Sequence, residues 1–108
     1  MPGRVSANVY ALERLRRIKT VKKRKEALVC ANQELIACLV EAIHNILQGV
    51  VPLNNVEYKK LKKHAHILRR LSRERETAKA RQLLVQKGNG FLPILLPLLV
   101  SLAGHFLG

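Results

Sequence analysis

Residues 91–108, FLPILLPLLVSLAGHFLG, carry no Lys, Arg, Asp or Glu, and every charged side chain of the protein lies before Gly90. The whole chain of 108 residues has 20 Lys and Arg against 7 acidic residues, a formal net charge of +13. Folded domains usually mix charged and apolar residues along each element, so that one face joins a core. This separation predicts a cationic body that binds polyanions and an apolar segment that meets an apolar medium or partner.

The boundary between the two compositions falls at Gly88-Asn89-Gly90. We therefore expect a basic helical DNA-binding domain over residues 1–87, a glycine hinge over 88–90 and an apolar tail over 91–108. The tail is close to the lower length limit for spanning a bilayer, and its prolines interrupt a continuous helix. We expect this tail to form an exposed apolar surface. Because it contributes no cation, we also expect it to be dispensable for DNA binding. The residues expected to dock on an apolar partner or a membrane are Phe91, Leu92, Leu95, Leu96, Leu99 and Phe106.

Helical periodicity runs along the basic part, and the alternation typical of strands is missing from the sequence. This predicts an all-α fold, a small bundle of three or four basic amphipathic helices. Apolar residues at a spacing of three predict a first helix from about Ala7 to Lys25. Asn32 is expected to cap a second helix, with the broadest apolar stripe, which ends at Gly49 before Pro52.

A third helix is expected to begin after Asn54 or Asn55, with Tyr58 and the leucines that follow it on the buried face. A last helix is predicted from about Ser72 or Thr77 to Lys87. The glycines that follow are expected to end it. The remaining faces of these helices carry the positive charge.

Three clusters of cations repeat along the basic part, and a folded domain gains no stability from accumulating like charge. We therefore interpret them as a surface for phosphates. Only two aromatic residues, both tyrosines, lie in this part, which argues against a stacking platform for single strands. Contacts to phosphates alone predict binding to double-stranded DNA without sequence preference. The candidate DNA-binding residues are Arg14, Arg16, Arg17, Lys19, Lys22, Lys23, Arg24, Lys25, Lys59, Lys60, Lys62, Lys63, Arg69, Arg70 and Arg73.

Residues arranged for catalysis are not evident in the sequence, which has neither a paired-carboxylate nor a nucleophile–base pattern. We expect a non-enzyme with no cofactor and no metal. Cys30 and Cys38 are eight positions apart, about 12 Å along a helix, which is too far for a disulfide. They are expected to be small apolar side chains in a reducing, intracellular setting.

The stretch GNGFLPILLPLLVSLAG, residues 88–104, resembles the end of the precursors of the adenovirus minor core protein X (mu) family. In that family a basic DNA-condensing segment precedes a glycine pair and an apolar run rich in Leu and Pro. The matching residues are Gly88, Gly90, Leu92, Pro93, Leu95, Leu96, Pro97 and Leu98. The resemblance implies a DNA-condensing core protein found in a virion and in the host nucleus, and a capsid protein as the partner on which the apolar tail docks.

The wider layout resembles the small basic proteins of adintoviruses and Maverick/Polinton elements over about residues 27–100. The similar segments are NQELI at 32–36, VPL at 51–53, YKKLKK at 58–63 and GFLP at 90–93. The FLP start also resembles amphibian membrane-active peptides. An alternative is therefore a membrane-active or tail-anchored basic protein that binds anionic lipid.

The first resemblance also implies a maturation-protease partner. Such proteases favour an apolar or amide residue, any residue, Gly, any residue, and then cut before Gly. Gln86, Gly88, Asn89 and Gly90 are similar to that pattern. The same glycines are explained equally well as a helix stop and a hinge.

Overall fold

The computed structural model describes the backbone of residues 2–107 and the side chains of residues 4–102. Every regular element in this part of the chain is helical, which confirms the predicted all-α bundle. The elements are α1 (Pro2–Ala7), α2 (Val9–Arg17), α3 (Val21–Cys30), α4 (Gln33–Leu47), α5 (Asn55–Lys62), α6 (Ala65–Arg73), α7 (Thr77–Lys87), a 3-10 turn (Gly88–Gly90) and α8 (Leu92–Leu107). They form one body of 30 × 29 × 26 Å.

Helices α4 and α5 begin where the sequence predicted, because both have an asparagine cap. The side chain of Asn32 accepts a hydrogen bond of 2.8 Å from the Leu35 backbone N–H, which would otherwise lack a partner. Asn54 and Glu57 form a reciprocal capping box at the start of α5. The chain leaves α4 through Gly49, whose φ of +76° is a left-handed conformation that glycine adopts without strain.

The first predicted helix, from Ala7 to Lys25, is broken in the structure. Helix α2 ends at Arg17, and α3 begins after Thr20. The Thr20 hydroxyl accepts a hydrogen bond of 3.2 Å from the Lys23 backbone N–H, so it caps a new helix instead of continuing the old one.

The third predicted helix is also broken, between Lys62 and Ala65. The imidazole of His64 at this break lies beside Phe91, with 6.4 Å between the ring centroids. The break lets α5 pack against α8 while α6 packs against α4. Tyr58 was expected on the buried face, but the structure corrects this because the residue is 56% exposed.

Helix α8 is the centre of the core, where the sequence analysis expected a free tail. It packs against α1, α2 and α5. A helix that is apolar on all sides is stable in water only when it is surrounded, and the amphipathic helices around it supply the apolar faces. Five side chains predicted to dock on a capsid or membrane are at most 1% exposed: Phe91, Leu92, Leu95, Leu96 and Leu99. Phe106 lies outside the residues whose side chains the structure describes.

The expected division into a body over 1–87, a hinge over 88–90 and a tail over 91–108 therefore differs from what the structure has. Buried residues from α1 to α8 belong to a single hydrophobic cluster. A chain this small has little apolar surface to bury, so its most apolar segment contributes most when it lies inside. The turn at 88–90 redirects the chain into the core.

The prolines of α8 do not prevent the helix from forming. Pro93 lies in its first turn, where a backbone N–H has no partner within the helix, so its loss costs little. Pro97 lies inside the helix. Both prolines are exposed, which leaves the leucines between them free to face the core.

Helix α4 forms the other buried layer, as its broad apolar stripe predicted. Leu39 and Ile43 at its centre are 0% and 1% exposed. It packs against α6 and α7, whose Leu71 and Leu84 are fully buried. The two apolar helices α4 and α8 thus supply half of the buried residues of the hydrophobic cluster, and the cation-rich helices pack against them.

Candidate nucleic-acid interface

Arg24 joins the start of α3 to the 3-10 turn. Its guanidinium donates hydrogen bonds to the side-chain oxygen of Asn89, at 3.2 Å, and to the backbone oxygen of Ile18, at 3.1 Å. Its Nε atom is buried and has no hydrogen-bond partner in the described part of the chain. Arg24 was predicted to contact phosphates, but its guanidinium is engaged in holding two segments together.

The junction between α5 and α6 lies against the other side of the same turn. A Cβ atom placed on Gly90 would come within 2.9 Å of Cε1 of His64, so any other residue here would require the imidazole to shift. His64 directly follows the lysines at the end of α5. The 3-10 turn therefore touches both basic segments.

These contacts bring the first two predicted clusters to one end of the bundle. We define the basic end as the α2–α3 junction (17–25), the α5–α6 junction (59–64) and the turn (88–90). More than thirty sequence positions separate the two cationic segments, and the turn lies between them in space. Lysines of the basic end are all exposed: Lys19, Lys22, Lys23, Lys25, Lys59, Lys60, Lys62 and Lys63.

The basic end has little internal counter-charge. Among residues 4–102, none of these lysines forms an ion pair. The first turn of α3 contains Lys22 and Lys23 and no acidic residue, although the positive end of the helix dipole lies there. Cations at this position raise the local positive potential, which favours an anion from outside.

Two of the predicted arginines are partly neutralised by Glu13. The carboxylate accepts hydrogen bonds from Arg16 and, at 3.0 Å, from Arg17. The hydrogen bond from Arg16 is the main reason that the pKa of Glu13 is lowered to about 2, and the pKa of Arg16 is raised in turn. Arg14 is exposed on the same helix. These arginines can still reach phosphates, but Glu13 reduces their net charge.

Only the first residue of the third predicted cluster lies beside the second cluster. Arg69 lines a groove together with Lys62. Arg73 is the last residue of α6, about 13 Å along the axis from the α5–α6 junction. Arg70 is exposed between them. The sequence could not show this separation, since it depends on the direction in which α6 leaves the junction.

Sequence reasoning missed two arginines that stabilise the fold. Arg4 pairs with Glu34 at 3.1 Å and with Glu41 at 2.6 Å. Arg81 donates hydrogen bonds to backbone carbonyls at the end of α3, including that of Leu28 at 2.8 Å. The carbonyls of a helix end lack partners within the helix, so Arg81 caps α3 from a distant part of the chain. No local signal in the sequence marks either contact.

The residues that resemble a protease site lie in ordered structure. Gln86 is exposed on α7, but Gly88 is buried, with Leu92 so close that a Cβ would lie 2.7 Å from its Cδ1. Asn89 accepts the hydrogen bond from Arg24. A protease binds an extended segment, so cleavage before Gly90 requires this turn to open.

The cysteines are both free, and they differ in environment. Cys30 is exposed, whereas burial raises the pKa of the Cys38 thiol to about 11. Within the described residues, no group of three or more His, Cys, Asp or Glu side chains is arranged to hold a metal ion.

The helices were also compared with the length and apolarity that a membrane span requires. In the described part of the chain no single helix meets both requirements. Two pairs of consecutive helices meet them jointly, but each pair is bent by more than 100°.

No protein-family model, curated protein or solved structure matches this chain. The arrangement of charge on the bundle is therefore the feature from which a function can be inferred.

Proposed function

We propose that this protein binds double-stranded DNA through its basic end, without sequence preference and without catalysis. The observation that supports it is the convergence of two cationic segments on the turn at Gly88–Gly90, with exposed lysines that have no internal ion pair among residues 4–102. Neutralising phosphates releases counterions, and this provides the free energy of binding.

The chemistry of the basic end favours phosphates over base edges. Its exposed cations are mainly lysines, which act as flexible point charges, whereas base readout uses arginine, asparagine or glutamine held in a fixed geometry. Two helix junctions and a turn form the surface, and phosphate contacts on such a surface position the protein without reading sequence.

A net charge of +13 on a body about 30 Å across suits condensation of DNA, because each bound chain neutralises several phosphates. The resemblance to viral core proteins extends this proposal to DNA packaged in a virion within the host nucleus. Docking on a capsid protein through Phe91 and the leucines of residues 92–99 is not part of it, because those side chains form the core. A maturation protease would act only after the turn at 88–90 opens.

The test measures duplex affinity of the full chain against salt. If about eight phosphates are neutralised, the logarithm of the affinity falls against the logarithm of salt with a slope of roughly −7. A variant of the basic end, Lys22→Gln with Lys23→Gln and Lys63→Gln, should have a slope less steep by about 2 to 3.

A matched control removes the same charge from the opposite end of α6 and from α7: Arg73→Gln with Arg75→Gln and Lys79→Gln. All six positions are exposed, so neither variant should unfold. Equal losses in the two variants would refute a defined interface at the basic end. A wild-type slope near zero, or tighter binding to anionic vesicles than to DNA, would replace the DNA proposal with the anionic-lipid alternative.

A further inference from the structure

A shallow apolar groove lies between the end of α4 and helices α5 and α6. Its volume is about 240 Å³, and Leu47, Leu53 and Leu68 are among the side chains that line it. Tyr58 lines the same groove and is 56% exposed. An exposed aromatic ring beside an apolar groove provides a flat surface on which another ring can stack.

The groove is also positively charged. Lys62 and Arg69 both line it, and the Nζ atom of Lys62 lies 5.9 Å from the centroid of the Tyr58 ring. Within the described part of the chain, no carboxylate contributes to the lining. The groove therefore combines an aromatic ring, an apolar surface and two cations, the features that single-stranded nucleic-acid sites combine.

We propose that this groove binds one unpaired nucleobase, stacked on Tyr58, while Lys62 and Arg69 contact the neighbouring phosphates. The inference rests on the proposed function, because Lys62 belongs both to the basic end and to the groove. A strand held at the basic end passes the groove, so a frayed end or a single-stranded stretch of the bound DNA can place a base there. Stacking is tolerant of sequence, since every base has a π face.

The charges argue against a second copy of this chain as the occupant. Two bodies of +13 repel each other, and the groove would bring Lys62 and Arg69 close to another cationic surface. Within a strand, each sugar lies between two negatively charged phosphates and carries a base whose flat faces stack. Such a nucleotide therefore matches the charge and the polarity of the groove together.

The tyrosines permit a direct test. The chain has two tyrosines and no tryptophan, so Tyr10→Phe leaves Tyr58 as the only strong fluorophore. The probes are a short oligothymidylate and a strand of equal length whose internal sites are abasic. Oligothymidylate should quench Tyr58 fluorescence by stacking, and the abasic strand should bind without comparable quenching. In the matched variant Tyr58→Phe, the remaining Tyr10 is 84% exposed and lines no part of the groove, so its fluorescence should change little.

Affinity provides a second readout. Tyr58→Ala should weaken oligothymidylate binding on the order of 5-fold or more, whereas Tyr58→Phe and Tyr10→Ala should keep it. Binding of blunt duplex and of the abasic strand should be unchanged in all three variants, since those contacts are to phosphates. Equal affinity of the wild type for base-bearing and abasic strands, or an equal loss in Tyr58→Phe, would overturn base stacking. Failure of the wild type to bind any of these probes would instead refute the DNA-binding function itself.

Discussion

Helices α8 and α3 differ in almost every respect that decides a position in the fold. Helix α8 has 16 residues without a charge, and the leucines of its first half are buried. Helix α3 has 10 residues, and Leu28 is its only buried residue. Its position depends on Leu28, on the hydrogen bonds of Arg24 and on the cap from Arg81. The sequence separation of charged and apolar residues had suggested two independent modules. In the structure it corresponds to the outside and the inside of a single fold.

The largest effect is expected from placing a charge inside α8. Leu96 is 1% exposed, and Leu96→Asp would bury an unpaired carboxylate at a cost of several kcal/mol, against a total stability of about 5 kcal/mol for a domain of this size. We expect loss of cooperative thermal unfolding by circular dichroism. The control Tyr10→Asp, at a residue 84% exposed, should melt like the wild type. A cooperative melt in Leu96→Asp would show that α8 is dispensable for the core.

A smaller change in stability should distinguish a cation whose hydrogen bonds stabilise the fold from a cation that is exposed to solvent. Arg81→Gln removes hydrogen bonds to the end of α3 and should lower the free energy of unfolding by about 1–2 kcal/mol. Lys22→Gln should change it by less than about 0.5 kcal/mol, because the side chain is exposed and unpaired among the described residues. Conversely, Lys22→Gln should reduce the salt slope of DNA binding by about 1, and Arg81→Gln should not. Chemical denaturation and salt titrations measure the two quantities; a reversed pattern would contradict these assignments.

The two cysteines report on the same contrast, because Cys30 lies at the exposed end of α3 and Cys38 in the buried part of α4. Under native conditions a thiol reagent should modify Cys30 rapidly and Cys38 only at the rate of unfolding. Burial raises the Cys38 pKa from 9.0 to about 11, so the neutral thiol stabilises the fold below pH 9 and this contribution is lost as the pH rises through about 11. Chemical denaturation of the wild type and of Cys38→Ala at several pH values in this range measures the contribution of the neutral thiol. Equal labelling rates would contradict the burial of Cys38.

The smallest effect concerns the counter-charge on α2. Because the pKa of Glu13 is lowered to about 2, its stabilising contribution is present above the ordinary value of 4.5 and is lost as the pH falls toward 2. Glu13→Gln should therefore flatten the acid side of the stability profile slightly. The Glu13 side chain is 23% exposed, so salt screens its charge in part and the difference should shrink in high salt. The Glu13→Gln substitution should also strengthen DNA binding modestly, since Arg16 and Arg17 lose a competing partner.

The predictable parts of the fold are those with local causes. Asn32, Gly49 and Asn54 act on backbone groups within a few residues, so the limits of α4 and the start of α5 followed from sequence. The break at Thr20 was missed because the apolar spacing continued through it. The site was predicted as a set of exposed cations. All of the predicted cations except Arg24 are exposed. Their convergence depends on contacts between residues far apart in sequence, 65 positions for Arg24 and Asn89 and 26 for His64 and Gly90, and no local pattern encodes those.

The sequence by itself determined that this chain is helical, strongly cationic and supplied with two apolar segments, because periodicity, caps and charge are local properties. Only the tertiary structure decided that Phe91 and the leucines of residues 92–99 lie inside. An apolar segment loses the same contact with water whether it enters a core, a membrane or a partner, so its composition cannot distinguish the three. The tertiary contacts decide between them: α1, α2 and α5 pack against α8 and bury its leucines.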